Sequence, residues 1–306
     1  MSVHRDSGIY VFDCMIIWRL AKKLLRKVFR PTRVVVTQCP VCQISANEML
    51  KDKVALVTGG TSGIGRAIAE AFLNAGASVV IAGRSDARIK QTIEELSGIG
   101  CTGWIRGIVL DVSDVSSFSS KLQELLGIIH ENGSEKLDIL VNNAGIVGGS
   151  IAVTAEQEFD AVMDTNLKGA FFLSRCIGNY MKENRIQGNI LNVASSSSLR
   201  PATSAYALSK WGIRGLTIGL AKLLIKYGLV VNGLAPGPTA TPMLQADTNG
   251  NMYLESSPAG RWIHPAEVAN MAVILVSLAG RMIVGDIVYM TGGAGIITQD
   301  DIKYEF

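Results

Sequence analysis

Seven short, mostly apolar runs rich in valine and isoleucine, at 54–58, 78–82, 105–110, 139–142, 189–193, 230–234 and 287–290, constrain the fold more than any other feature of this chain. They are too continuously apolar for strands with one wet face and have the pattern of strands covered on both sides. Amphipathic stretches of helical period lie between them, at 64–74, 87–96, 115–131, 156–183 and 205–226. Strands that alternate with helices are laid parallel, because each helix is the crossover that brings the chain back to start the next strand. The expected fold is α/β, a doubly wound seven-stranded parallel sheet, with ligands at the carboxyl ends of the strands where strand order reverses. Composition agrees, since 32 glycines and 6% aromatic residues suit close helix-on-sheet packing better than an aromatic all-β core.

No repeat, low-complexity tract or Pro-rich linker interrupts residues 49–306, which read as one domain. Residues 1–48 differ. They hold eight Lys and Arg against Asp6, Asp13 and Glu48, whereas the remainder has 21 basic residues against 23 acidic ones. The main body therefore lacks the clustered cations that displace counterions from nucleic acid. Between residues 16 and 30, Ile16, Leu20, Leu24 and Val28 mark one side of a helical period, and Arg19, Lys22, Lys23, Arg26, Lys27 and Arg30 the other. Such a basic amphipathic helix is able to lie on an anionic membrane surface, but its charges prevent it from spanning a bilayer. The same charges follow the apolar stretch, the reverse of a secretory signal. An upstream extension before a functional start at Met49 is the alternative reading. Five scattered cysteines, Cys14, Cys39, Cys42, Cys101 and Cys176, indicate a reducing compartment, the cytoplasm. A single Cys39–Cys42 pair and three isolated histidines, His4, His130 and His264, do not make a metal site.

Directly after the first strand run comes Thr58-Gly59-Gly60-Thr61-Ser62-Gly63-Ile64-Gly65. Glycines here allow a tight turn and bring backbone N–H groups close to a pyrophosphate at the positive end of the next helix. Further motifs follow in order: Asp111-Val112, Asn142-Asn143-Ala144-Gly145, Asn166, Tyr206-Ala-Leu-Ser-Lys210, Pro236-Gly237-Pro238 and Gly292-Gly293. In this spacing and order, from about residue 53 to 293, the chain resembles the short-chain dehydrogenase/reductase family. The resemblance implies a Rossmann-type fold, a bound NAD(P)(H), and oxidation of CH–OH groups or reduction of carbonyls, with 3-oxoacyl-thioester reduction and sugar or polyol oxidation as candidate reactions. It places the cofactor along the glycine loop (Thr58, Gly59, Thr61, Ser62, Gly63, Ile64, Gly65), with Asp111 and Val112 at the adenine and Asn142 beside a ribose. Ala144, Gly145, Pro236 and Gly237 would line its path, and Thr239 and Thr241 would sit near the nicotinamide amide. It also implies a homotetramer or homodimer.

The end of the second strand run bears on which nucleotide is used. An NAD enzyme wants a carboxylate there to accept hydrogen bonds from the ribose 2′-OH. Gly83 and Arg84 stand there instead, and a guanidinium suits a phosphate, so NADP(H) is favoured over NAD(H).

Tyr206 and Lys210 are four residues apart and share one helical face. A phenol with an ordinary pKa near 10 transfers protons poorly at neutral pH, and a neighbouring ammonium together with a nicotinamide cation would favour its ionised form. Tyr206 then serves as general acid or base for a carbonyl or alcohol. A neutral donor that polarises the carbonyl is also needed. Ser195 to Ser198 follow the fifth strand run; strand alignment with the family selects Ser195, while a gap to Tyr206 shorter than the family commonly shows keeps Ser196 and Ser197 as alternatives. By resemblance, Asn166 would kink its helix and hold a water linking Lys210 to solvent.

A small-molecule substrate is expected over the nicotinamide, on a floor of Ile146, Val147 and Pro201. The connection 241–265 carries Met243, Leu244, Met252, Tyr253, Leu254 and Trp262 and reads as a lid. His264, before Pro265, reads as a helix start. Gly212, Gly215 and Gly219 on the Tyr206 helix allow another helix to approach, within the subunit or across an interface. A catalytically idle dinucleotide-binding sensor is the competing class, and the Tyr206–Lys210 pair speaks against it.

Overall fold

The computed structural model describes residues 48–97, 103–244, 248 and 251–297. The amphipathic stretch 16–30, the Cys39–Cys42 pair and the division at residue 48 lie outside the described residues or at their border.

Seven strands form one parallel sheet in the order β3-β2-β1-β4-β5-β6-β7. They are β1 (Val54–Thr58), β2 (Ser78–Gly83), β3 (Ile105–Val109), β4 (Ile139–Asn142), β5 (Asn189–Val193), β6 (Val230–Pro236) and β7 (Ile287–Met290). After β3 the chain returns across the sheet to lay β4 beside β1, in the register Ala55 to Ile139. Strand order therefore reverses between β1 and β4, which opens a crevice at their carboxyl ends.

Helices cover both faces: α1 (Gly63–Asn74), α2 (Asp86–Ser97), α3 (Phe118–Glu131), α4 (Glu156–Met163), α5 (Gly169–Glu183), α6 (Ala205–Leu224) and α7 (Pro265–Val276). Successive strand residues supply opposite cores, as the two-residue period of a strand requires. Ala55, Val57, Val79 and Ile81 pack with Ile68 and Phe72 of α1, Leu96 of α2 and Val268 of α7. Val54, Leu56, Val80 and Ala82 pack with Leu125 and Ile129 of α3 and Leu173 and Ile177 of α5. This two-sided burial is why the strand runs carry almost no alternation.

The stretch expected as one helix over 156–183 is divided by a π-helical turn, Asp164–Lys168, that contains Asn166. A π turn holds one more residue per turn than an α-helix, and the register change falls where Asn166 turns inward to 2% exposure. Helix α7 starts where His264 indicated. The His264 Nδ1 accepts from the Ala266 N–H at 3.1 Å, and Glu267 accepts from the His264 N–H at 2.9 Å. A two-pronged contact from Arg261 at 2.8 and 2.7 Å holds the Glu267 carboxyl at a pKa of about 2. His264 is thus a helix cap.

Part of the connection before α7, where a lid is expected, is tied back on itself. Tyr253 bridges Arg261, and Trp262 N–H donates to the Met252 carbonyl at 2.9 Å, so 252–262 folds back on itself around the turn Pro258-Ala259-Gly260. Only Met243 and Leu244 of the six apolar residues reach the crevice. Among the described residues no helix is long and apolar enough to cross a membrane.

Candidate active site

The crevice contains a cavity of about 340 Å³. Its wall on the β1 side is the glycine loop, where Gly59 and Gly63 have φ of 64° and 51°, the left-handed region that favours glycine. Helix α1 begins there with no side-chain cap from Ser62 and no acidic residue in its first turn. Its free N–H groups and positive dipole end are thus left for an anion, and a dinucleotide pyrophosphate fits this cradle. Ser62, Ile64, Gly65, Ala144, Gly145, Pro236, Gly237, Thr239 and Thr241 line the same cavity.

Seven expected site residues stand back from the cavity wall. Thr58 clasps β1 to β4: its hydroxyl donates to the Val141 carbonyl at 3.1 Å and accepts from the N–H groups of Asn143 and Ala144. Thr61 lies against Gly83, where an added Cβ would meet its methyl at 3.4 Å. The glycine loop thereby touches the end of β2, and exposed Arg84 follows immediately. Asp111 accepts from the Ser113 N–H and hydroxyl at 2.9 and 2.7 Å, and Val112 is buried in the core below.

Asn142 is turned into the sheet. Its amide nitrogen donates to Ser174 Oγ and Asn192 Oδ1, both at 2.8 Å. The strand period turns the last residue of β4 toward α5, while the next residue leaves the strand. It is Asn143 that lines the cavity, donating to the Thr58 and Gly59 carbonyls at 2.9 and 3.3 Å. Asn166, the seventh, accepts from the Ile146 N–H at 2.8 Å and donates to the Ile146 carbonyl at 2.9 Å and Ser209 Oγ at 3.1 Å. Both amide hydrogens are thus used by protein partners. Asn166 ties the loop after β4 to α6. Of the expected floor residues, Val147 lines the cavity, whereas Ile146 and Pro201 do not.

On the opposite wall Ser195, Tyr206 and Lys210 come together. Ser204 caps α6 by accepting from the Ala207 N–H at 3.1 Å, which sets Tyr206 in the first turn and Lys210 one turn on. Lys210 is 5% exposed, donates to the Val193 carbonyl at 2.9 Å and lies 5.6 Å from the centre of the Tyr206 ring. Burial pushes its pKa down to about 8. Burial pushes the Tyr206 phenol up, opposed by a hydrogen bond with Ser195, so without a nicotinamide cation the phenol keeps its proton. Ser195 also accepts from the Ser197 N–H at 3.1 Å. Ser198 is turned away, donating to the Ser195 carbonyl at 2.7 Å. Ser195 is the serine that meets the phenol, although Ser196 and Ser197 also border the cavity.

These features, a glycine cradle facing a Ser–Tyr–Lys cluster at the point of strand reversal, coincide with a match of residues 53–251 to the family model for short chain dehydrogenase. The chain belongs to the short-chain dehydrogenase family. It is accordingly an oxidoreductase that moves hydride between NAD(P)(H) and a carbonyl or alcohol, and nothing supports the idle sensor. The 3-oxoacyl-(acyl-carrier-protein) reductase of Thermotoga maritima is 33% identical over 80% of this chain and 98% of its own length. The 2-dehydro-3-deoxy-D-gluconate 5-dehydrogenase of Dickeya dadantii is 34% identical over 80% and 96%. Among solved structures, a 3-oxoacyl-(acyl-carrier-protein) reductase with bound NAD from Brucella melitensis is 32% identical, covers 85% of this chain and 99% of its own, and superposes with a TM-score of 0.70.

The depressed Lys210 pKa yields two opposite pH trends. With Lys210 acting as an ammonium in reduction, as proposed below, kcat/KM for the carbonyl is expected to fall as pH rises through about 8. Stability goes the other way. Between about 8 and the ordinary 10.5 the unfolded lysine binds the proton that the folded one has released, so raising pH favours the fold. The full effect is on the order of 3 kcal/mol. Denaturant titrations of the parent chain and Lys210→Met from pH 7 to 10.5 isolate it. Parallel stability curves for the two would show that Lys210 does not titrate in this range.

Proposed function

We propose that this chain is an NADP(H)-dependent reductase of small carbonyl compounds, cytoplasmic and assembled as a homotetramer or homodimer, with residues 1–48 an appendage to the catalytic domain. The convergence of Ser195, Tyr206 and Lys210 on one cavity with the glycine cradle carries the reading. When bound, the nicotinamide supplies or accepts the hydride. Tyr206 gives its proton to the substrate oxygen, Ser195 donates a hydrogen bond to the same oxygen and fixes its position, and Lys210 keeps a positive charge beneath the phenol. Asn166 and Thr58 hold the loops that carry these groups. The relatives' names supply two reaction classes, reduction of 3-oxoacyl thioesters and oxidation or reduction of sugar acids.

The preference for NADP(H) rests on Arg84 at the end of β2, exposed and next to the loop that Thr61 anchors. A guanidinium there pairs with a 2′-phosphate, and no carboxylate stands at Gly83 or Arg84 to bind a 2′-OH. The relative from Brucella holds NAD, which makes NADH the reading to beat. Arg84→Ala is expected to lower kcat/KM for NADPH by about 10- to 100-fold, the worth of a charge-assisted pair, and to leave NADH nearly unchanged. An NADH preference in the parent chain would refute the assignment. For assembly, Trp211, Ile218 and Leu223 of α6 are exposed. Gly212 packs on Leu167 within the subunit, while a Cβ on Gly215 or Gly219 would meet nothing within 4 Å. Sedimentation of the full chain tests whether a second copy covers that face.

A further inference from the structure

We infer that the substrate carries an anionic group, a carboxylate or a phosphate, besides its reacting carbonyl or alcohol, and that Arg200 binds it; this rests on the catalytic reading above. Arg200 sits five residues after Ser195 on the same β5–α6 connection and lines the same cavity. Its backbone is pinned at both ends, the N–H donating to the Ser197 carbonyl at 3.4 Å and the carbonyl accepting from Trp211 Nε1 at 2.9 Å. Its side chain is placed by Gly295, where an added Cβ would lie 3.0 Å from Nε and 3.4 Å from Nη2. The Nε and Nη2 edge of the guanidinium thus faces bare backbone, its position set by packing.

What it lacks is a partner. Among the described residues the half-buried Arg200 guanidinium makes no hydrogen bond or ion pair, whereas Arg66 pairs with Glu70 and Glu95, Arg214 donates to the Ser198 carbonyl, and Arg281 donates to the Gly228 carbonyl. Among the described residues no Asp or Glu lines the cavity, and its other cation there, Lys210, is spent on Val193 beneath the tyrosine. A fixed guanidinium that borders a catalytic cavity without a counter-charge is a ready fork for an anion. The cofactor's own phosphates have the glycine loop and Arg84, so this charge falls to the substrate. Val147, Met243 and Leu244 give the cavity an apolar wall, which suits a hydrocarbon segment between the anion and the reacting carbon.

The test loads the full chain with NADPH and titrates hexanoate, hexyl phosphate and hexanamide, followed by the fluorescence of the bound nicotinamide, so no turnover is needed. At least one anion is expected to bind about tenfold or more tightly than the amide, and the better of the two identifies the group. Arg200→Gln should shrink that gap below about threefold with NADPH affinity unaltered, and Arg200→Lys should restore part of it. Equal binding of amide and anions in the parent chain, or a gap that survives Arg200→Gln, overturns the inference alone. Failure of both NADPH and NADH to bind overturns the catalytic reading and takes the inference with it.

Discussion

Tyr206→Phe is expected to cut kcat about a thousandfold while the NADPH dissociation constant stays within about twofold. In the proposed mechanism the phenol gives its proton to a substrate oxygen held by Ser195, and burial keeps it protonated until a cation arrives. Phenylalanine preserves the ring that lies 5.6 Å from Lys210 and removes only the oxygen. The hydroxyl faces Ser195, and losing that contact costs on the order of 1 kcal/mol of stability, so the variant folds. Stopped-flow measurement of hydride transfer together with NADPH fluorescence titration checks both halves. Reduction at the parent rate would require another proton donor and would sink the mechanism. A loss of NADPH binding equal to the loss of rate would instead make Tyr206 a binding residue.

The sheet is readable in the sequence because its central strands are buried on both faces and so appear as mostly apolar runs; the observed ends of β1, β4, β5 and β7 match those of the runs. The π turn is not readable in outline, since Asp164–Lys168 keeps the helical period on either side and differs only in register. The resemblance singles out Asn166 as a kink, and the geometry adds what its amide does. The site divides in the same way. Gly59, Gly63, Tyr206 and Lys210 are fixed by local rules, a left-handed turn and a one-turn helical separation. Asn142 and Asn143 are adjacent and chemically identical. Only the face toward which β4 directs its last residue separates the buried amide from the one that lines the cavity.

Arg200 escapes sequence reasoning for a related cause. Its loop position after four serines gives no period, and the contact that places it comes from Gly295, almost a hundred residues away. The connection expected as a lid is decided by distant contacts too. Apolar residues in a long connection suggest a cover for the cavity, yet the turn at Pro258 to Gly260 lets Met252 and Trp262 pair with each other, and only Met243 and Leu244 remain at the crevice. Distant contacts decide such loops, and composition does not reveal them.

Gly65→Ala should show how tightly the cradle and the first helix are joined. A Cβ at Gly65 would stand 2.3 Å from the Gly59 carbonyl oxygen and 2.4 Å from Asn143 Nδ2. Neither neighbour yields easily: the first is backbone of the loop itself, and the second is held by the Thr58 and Gly59 carbonyls. The helix must move away from the loop, at a cost of about 1–3 kcal/mol for overpacking. Because the N–H groups that would hold the pyrophosphate belong to that loop and helix, a shift of about 1 Å is expected to weaken NADPH binding on the order of 100-fold. Gly127→Ala is the internal comparison. It too lies in a helix, but its added Cβ meets nothing within 4 Å, so the gain in helix propensity should stabilise the chain by about 0.5–1 kcal/mol. Thermal unfolding and NADPH titration of both variants read the difference. If Gly65→Ala bound NADPH as well as Gly127→Ala does, the close approach of α1 to the loop would be a packing detail with no part in holding the cofactor.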